Sequence, residues 1–193
     1  MTTLKIGRED WLEFPPELER LAMGGITTPP GFVASGVACG LKESGGLDMG
    51  VLRSTRHAAS ALVDTSNALP SESVIHTRSL DRTRLQAVVV NAGNANAQTG
   101  AKGIADAATM GATAAEGMDL DPSVVAVCST GVIGRLFDMD KVTAGASAAA
   151  AAVSAAGGEA FSAAICTTDR SPKTAAFRAV SYTHLTLPTN REV

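Results

Sequence analysis

The chain has 193 residues, enough for one ordinary domain, or one domain and a fragment of another. A net charge of −3 without any run of Lys or Arg argues against a nucleic-acid or anionic-membrane surface, and no stretch reaches the ~18 apolar residues of a bilayer span. Hydrophobic residues are 45% of the chain but aromatic ones only 4%, so the core must consist of small side chains in closely packed layers.

Residues 1–24 read as a peripheral arm. Phe14-Pro15-Pro16 ends any preceding structure, Pro16 suits the first turn of a short helix through Leu21, and Gly24-Gly25 closes it. Glu9, Asp10, Glu13, Glu17 and Glu19 leave no room for the apolar core of a secretory signal, so the expected location is cytoplasmic. Cys39, Cys128 and Cys166 are odd in number and widely spaced, which fits reduced, buried thiols rather than a disulfide framework.

Beyond the arm, Pro29-Pro30-Gly31 is a turn, and Phe32 to Ala38 alternates as a strand. Ser44-Gly45-Gly46 turns the chain into a partner strand, Leu47 to Leu52. Ala58 to Val63 reads as another strand, and Val74 to His76 as a weak extension of the sheet. Leu85 to Val90 is a near-continuous apolar run, as in a strand covered on both faces, and it ends in the turn-prone Asn91 to Ala97. A helix is expected from Lys102 to Glu116, then entry at Pro122 into a strand from Val124. Strand, small-residue turn, helix, strand is an α/β unit. Asp138 can cap a helix to Ala156 that Gly157-Gly158 terminates. The apolar Ala163 to Cys166 then leads into Thr167-Thr168-Asp169.

Three polar clusters therefore sit at strand ends: Asn91 to Asn96, Ser129 to Gly131, and Thr167 to Asp169. Ligands of open α/β sheets bind outside the carboxyl ends of strands, although Asn, Thr and Gly taken singly also just make turns. The stretch VVAVCSTGVIG, Val124 to Gly134, is the most suggestive. A β-branched strand breaks into a hydroxyl-rich and glycine-bearing end, which lets a substrate approach the main chain and its N–H groups. Gly131-Val132-Ile133-Gly134 has neither the Gly-Lys-Ser/Thr nor the G-x-G-x-x-G pattern of a phosphate loop. His57 and His76 have no partner at metal-ligand spacing, so no metal is expected. Cys128 lies in an apolar run without a histidine base and reads as a buried, inert thiol. No nucleophile–base pair is complete.

ITTPPGFVASGVACGLKESG, AVVVNAGNANAQTGAKG, STGVIG with MDKV, and AICTTD with PK resemble, in order, the N-terminal half of the glutamate N-acetyltransferase family, also called ornithine acetyltransferases, the bifunctional enzymes of arginine biosynthesis. The resemblance implies an α/β fold with layered sheets and helices of the ornithine acetyltransferase / DmpA-like type, incomplete at the C-terminus. It implies a partial acetyltransferase domain over residues 25–180, the α-chain part. Residues 181–193 continue none of the preceding pattern, the alanine and glycine bias stopping at Val180, and they resemble translated library adapter, a non-native tail.

Family precursors cut themselves before a threonine in an Asn-Met-Ala-Thr context, and the new N-terminal threonine becomes the nucleophile. The acetyl group passes from N2-acetylornithine to that threonine and then to glutamate. By this resemblance Thr130 and Gly131 form the oxyanion hole, and Thr167 binds substrate, with Thr168 as its alternative by one register. Asn91, Asn94 and Asn96 then shape the pocket wall. Asn-Met-Ala-Thr is missing here, so the nucleophile is expected on a β chain from the same precursor, in a heterotetramer of two α and two β chains. No cofactor is implied; acetyl-CoA is an optional second donor. The competing readings are a related self-processing amidase or aminopeptidase, and a small-molecule-binding fragment without activity.

Overall fold

The computed structural model describes residues 18–169 and 171–179, and they fall into two compact units. The smaller unit contains β1 (Leu18–Arg20), which pairs antiparallel with Phe177–Ala179, the last strand of the chain. The helix expected through Leu21 is thus a strand where it is described. Glu19 and Arg178, opposite each other in the register, form an ion pair across it. Phe14, Pro15, Pro16 and the 181–193 tail lie outside the described residues.

The larger unit, Gly25–Thr174, is built on a four-stranded sheet. β2 (Phe32–Val37) and β3 (Met49–Ser54) form the expected hairpin, and β4 (Ala87–Asn94) lies antiparallel to β3. β5 (Val125–Val132) lies parallel to β4 and forms the edge of the sheet. The connection between β4 and β5 carries a long helix, as a parallel pair requires.

Two readings of the 55–80 region are corrected. Ala58 to Val63 forms no strand. Ser60 binds the Thr83 and Arg82 carbonyls and the Leu85 N–H, which pins the segment as a loop, and Val63 is 94% exposed. Val74 to His76 belongs to a helix, α1 (Glu72–Arg78). Its start was written in Ser71, whose side chain accepts from the Val74 N–H, and in the acidic Glu72 of the first turn.

α2 (Gly100–Gly117) contains the helix expected from Lys102 to Glu116, and it buries Gly103, Ala107, Met110, Gly111, Ala114 and Ala115 along one face. After a single 3-10 turn at Pro122–Val124 comes β5. α3 (Met139–Ala151) is capped by Asp138 as expected, but it stops five residues before Ala156. Gly157-Gly158 does not terminate it; Gly158 begins α4 (Gly158–Ala164). Ala163 to Cys166 is therefore the end of a helix and not a strand.

Strand alternation divides the sheet into two faces. Ser35, Val51, Val89 and Val127 align across all four strands on the face that packs against α2 and α3, with Met49, Met110 and Val142 among the fully buried side chains. The opposite face carries Gly36, Gly50, Val90 and Cys128 in one row. α4 covers the glycine end of that row: a Cβ on Gly36 would stand 2.1 Å from the Ala160 carbonyl oxygen, and one on Gly50 would stand 2.9 Å from the Phe161 ring. Val90 is half-buried and Cys128 exposed, so β4 is not covered on both faces and Cys128 is not the buried thiol expected.

The helices also meet through small residues. A Cβ on Gly117 would lie 2.7 Å from the Ala150 methyl, and one on Gly145 would lie 2.6 Å from Cys39. This is how a core with so few rings reaches native packing density. Gly36→Ala should push α4 off the sheet and lower stability by about 3 kcal/mol, read as a lower urea midpoint at unchanged slope.

Candidate active site

The carboxyl ends of β4 and β5 are where the site residues gather. Ser129, Thr130 and Gly131 lie inside β5 and not beyond its end, because the ladder to β4 continues through Asn91–Ser129, Ala92–Thr130 and Gly93–Gly131 to Asn94–Val132. Gly131 has φ +131°, and Gly93 opposite it has φ +106°. A Cβ on Gly131 would stand 2.3 Å from the Gly93 carbonyl carbon, and one on Gly93 would stand 2.8 Å from the Leu41 carbonyl oxygen. Only glycine meets both demands, the unusual φ and the bare backbone stack.

Thr130 is half-buried and Gly131 exposed, so neither is sealed beneath packed side chains. Thr130 shares the sheet face of Val90 and Cys128, away from α2 and α3. The outer edge of β5 is marked at Val127, whose N–H and C=O both bond the Thr77 hydroxyl of α1 at 3.0 Å. Backbone groups of a strand alternate in direction, so the Gly131 N–H falls on that same outer edge.

The asparagines brace this end from within. Asn91 is fully buried and donates to the Asn94 carbonyl at 2.7 Å. Asn94 donates to the Arg135 carbonyl at 2.9 Å, and Asn96 to the Gly103 carbonyl at 2.8 Å. The Ser129 hydroxyl donates to the Asn94 carbonyl and accepts from the Asn96 N–H. Asn94 lines a cavity of about 200 Å³ with Gly40, Leu41, Arg135, Phe137 and Lys141. Asn94 faces this cavity, whereas Asn91 and Asn96 are internal struts.

Thr167 and Thr168 are exposed and follow α4. Among the described residues, no hydrogen bond joins either of them to Thr130 or Gly131. A larger cavity, about 490 Å³, opens at the amino ends of β4 and β5, lined by Arg53, His57, Arg84, Gln86 and Asp121 among others. It lies at the opposite strand ends from the glycine stack. No group of three or more His, Cys, Asp or Glu among the described residues could hold a metal ion. No described helix is long and apolar enough to cross a membrane.

Two residues of this region were missed in the sequence. Asp48 is fully buried, and its carboxylate accepts from the N–H groups of Cys39 at 2.7 Å, Leu41 at 2.7 Å and Lys42 at 2.9 Å. Burial alone would raise its pKa, but these donors outweigh burial and hold it below the ordinary carboxylate value. Burial also pushes the neighbouring Cys39 thiol up to about 12, with the Asp48 charge adding to the effect. Lys42 reaches the other way along the chain, to the carbonyls at the end of α4. The only available signal was the turn-forming Lys42 to Asp48 stretch, which accommodates many acidic residues without burying them.

An α/β layered domain with two glycines paired at a strand end and hydroxyl groups beside them is the class of scaffold on which acyl-transfer sites are built. Comparison with known proteins narrows that class. Residues 33–188 match the ArgJ family model, and the chain belongs to the ArgJ family.

Among curated relatives, it is 48% identical over 158 residues to the arginine biosynthesis bifunctional protein ArgJ of Symbiobacterium thermophilum, covering 80% of this chain and 39% of that protein. It is 40% identical to the ArgJ of Parasynechococcus marenigrum over 83% of this chain and 40% of that one. The chain therefore spans about two fifths of the length of the curated relatives it matches. Among solved structures, ornithine acetyltransferase from Mycobacterium tuberculosis, complexed with ornithine, superposes with a TM-score of 0.79 at 36% identity, covering 83% of this chain and 88% of that chain. ArgJ from Bacillus halodurans gives 0.72 at 37%, with 79% and 81% covered.

Because the Asp48 carboxyl is more acidic folded than unfolded, its contribution to stability is complete above pH ~4 and is lost as the pH falls through the lower folded value. Glu72, whose carboxylate takes the Thr99 and Gly100 N–H groups, acts in the same sense. Asp48→Asn should lose about 2 kcal/mol at pH 7 and flatten the acid limb of the stability profile, as measured by urea unfolding at stepped pH.

Proposed function

We propose that this chain is the α-chain part of an acetyltransferase of arginine biosynthesis, which moves an acetyl group from N2-acetylornithine to glutamate and releases ornithine and N-acetylglutamate. The observation that carries the reading is the bare Gly93–Gly131 stack, with the Thr130 hydroxyl on the sheet face not packed against α2 and α3.

In this reading a threonine hydroxyl attacks the acetyl carbonyl and gives up its proton to a base, its own α-amine. The carbonyl electrons move onto oxygen, and that oxyanion accepts hydrogen bonds from the Gly131 N–H and the Thr130 hydroxyl. The intermediate collapses, the C–N bond breaks, and the proton goes to the departing ornithine amine. The glutamate amine then attacks the ester carbonyl and forms the new C–N bond through the same oxyanion; the ester C–O bond breaks, and the amine's proton passes by way of the threonine α-amine to the departing threonine oxygen. Thr167 holds the amino-acid portion of the substrate, with Thr168 as the alternative contact. The reaction needs no cofactor; replacing N2-acetylornithine by acetyl-CoA in the assay decides whether the thioester is a second donor.

The nucleophile comes from a second polypeptide cut from the same precursor, and two such pairs assemble. Two observations support this. The chain covers 88% of the solved M. tuberculosis chain but 39% of a curated full-length relative, as expected if family members are divided into two chains. At the end of β5, Val132, Ile133 and Leu136 are 60%, 65% and 49% exposed, an apolar strip beside the site. A cytoplasmic location fits a biosynthetic enzyme with three unpaired cysteines.

In a full-length family protein carrying this segment, Thr130→Ala should lower kcat by roughly 10²-fold while the melting temperature stays within a few degrees of the parent. Unaltered acetyl transfer would remove Thr130 from the site. Supplying N2-acetylornithine with and without glutamate tests the reaction class: glutamate-dependent ornithine release is expected, and acetate release indifferent to glutamate would assign a hydrolase instead.

A further inference from the structure

The loop between β2 and β3 touches both parts of the proposed site. Its main chain wraps the Asp48 carboxylate, which places the Leu41 carbonyl over Gly93, the ladder partner of Gly131. From the same loop, Lys42 sends its ammonium to three carbonyl oxygens: Leu47 at 2.6 Å, Ala164 at 3.1 Å and Ala163 at 3.4 Å. Ala164 is the last residue of α4, and Thr167 follows three positions later.

Several facts show that this contact is more than an incidental surface lysine. The final carbonyls of a helix have no partner within it, and a cation is favoured at that end. The three N–H bonds of the ammonium are matched by three acceptors, and Lys42 forms no ion pair among the described residues. Its side chain is half-buried, and its Cγ would lie 3.1 Å from a Cβ on Gly93, so it fills the space between the glycine stack and α4. Among the described residues no hydrogen bond runs directly from Thr167 to the end of β5; the polar path runs instead from the end of α4 to the Lys42 ammonium, from the Lys42 N–H to Asp48, and from the Asp48 carbonyl to Ala92 of β4, the ladder partner of Thr130.

We propose that Lys42 is a positioning residue that sets the Thr167 segment in register with the Thr130–Gly131 strand end. The substrate's amino-acid portion and its acetyl carbonyl are then held at a fixed separation. This rests on the functional reading of Thr130, Gly131 and Thr167 given above. Loss of the ammonium frees the last turn of α4, so substrate is gripped less well, while the oxyanion donors themselves stay in place. The effect therefore falls mainly on KM.

Two measurements test this. In the 193-residue chain, Lys42→Met should speed amide hydrogen exchange at Ile165 and Cys166 about tenfold while leaving Val89 and Val127 unchanged. In a full-length chimera, with residues 25–174 grafted into the S. thermophilum relative, Lys42→Met should lower kcat/KM for N2-acetylornithine roughly tenfold, mostly through KM. Lys42→Arg, which keeps cationic donors, should restore most of both losses. If Lys42→Met does not fold, Lys42→Gln carries the same comparison with a smaller expected change. Unchanged exchange at Ile165 and Cys166, or a uniform rise that includes Val89 and Val127, overturns the proposal, because Lys42 would then be idle or merely stabilising. A chimera with native Lys42 that transfers no acetyl group refutes the functional reading instead, and the exchange comparison still decides the Lys42 contact.

Discussion

A buried carboxylate organises the end of this sheet. Asp48 is fully enclosed, and an ionised carboxyl in such a place is tolerated only when its oxygens are met by donors. It finds them in the backbone of Cys39, Leu41 and Lys42, which forces a tight turn on this segment. The same residue uses its main chain to join the strands, with its N–H on Val37 and its C=O accepting from Ala92. One residue, through its side chain and its main chain together, thus ties the hairpin loop to β4 beside the backbone stack that ends in Gly131.

The second constraint is the smallness of the side chains. Gly117 against Ala150, Gly145 against Cys39 and Gly36 against Ala160 bring layers into contact at distances that leave no room for a methyl group. Many short van der Waals contacts replace the few large ones that aromatic rings would give. The tight packing on the α2–α3 face contrasts with the opposite face of β4 and β5, where Cys128 is exposed. The proposed chemistry belongs to that second face.

Much of this was legible in the residues. The hairpin, β4, α2, β5 and the Asp138 cap followed from alternation, helical period and capping chemistry, each a local property of a few neighbouring residues. The family motifs pointed to Thr130 and Gly131, and the structure places both within reach of the surface. The failures have a common physical cause. Val74 to His76 and Ala163 to Cys166 are short apolar runs that suit strand or helix equally, and only the cap at Ser71 or packing against Gly36 and Gly50 decides. Asp48 and Lys42 act through contacts with distant or main-chain atoms, such as the 121 and 122 positions that separate Lys42 from Ala163 and Ala164. Composition and spacing carry no trace of such contacts.

The edge position of β5 has a consequence for the chain's behaviour in solution. Thr77 occupies the outer backbone groups of Val127, but among the described residues no further side chain bonds that edge, and the strand runs on to Val132. An unguarded rim flanked by greasy side chains is a template on which any extended peptide can lay down another strand. The rim therefore makes a lone copy of this chain prone to self-association.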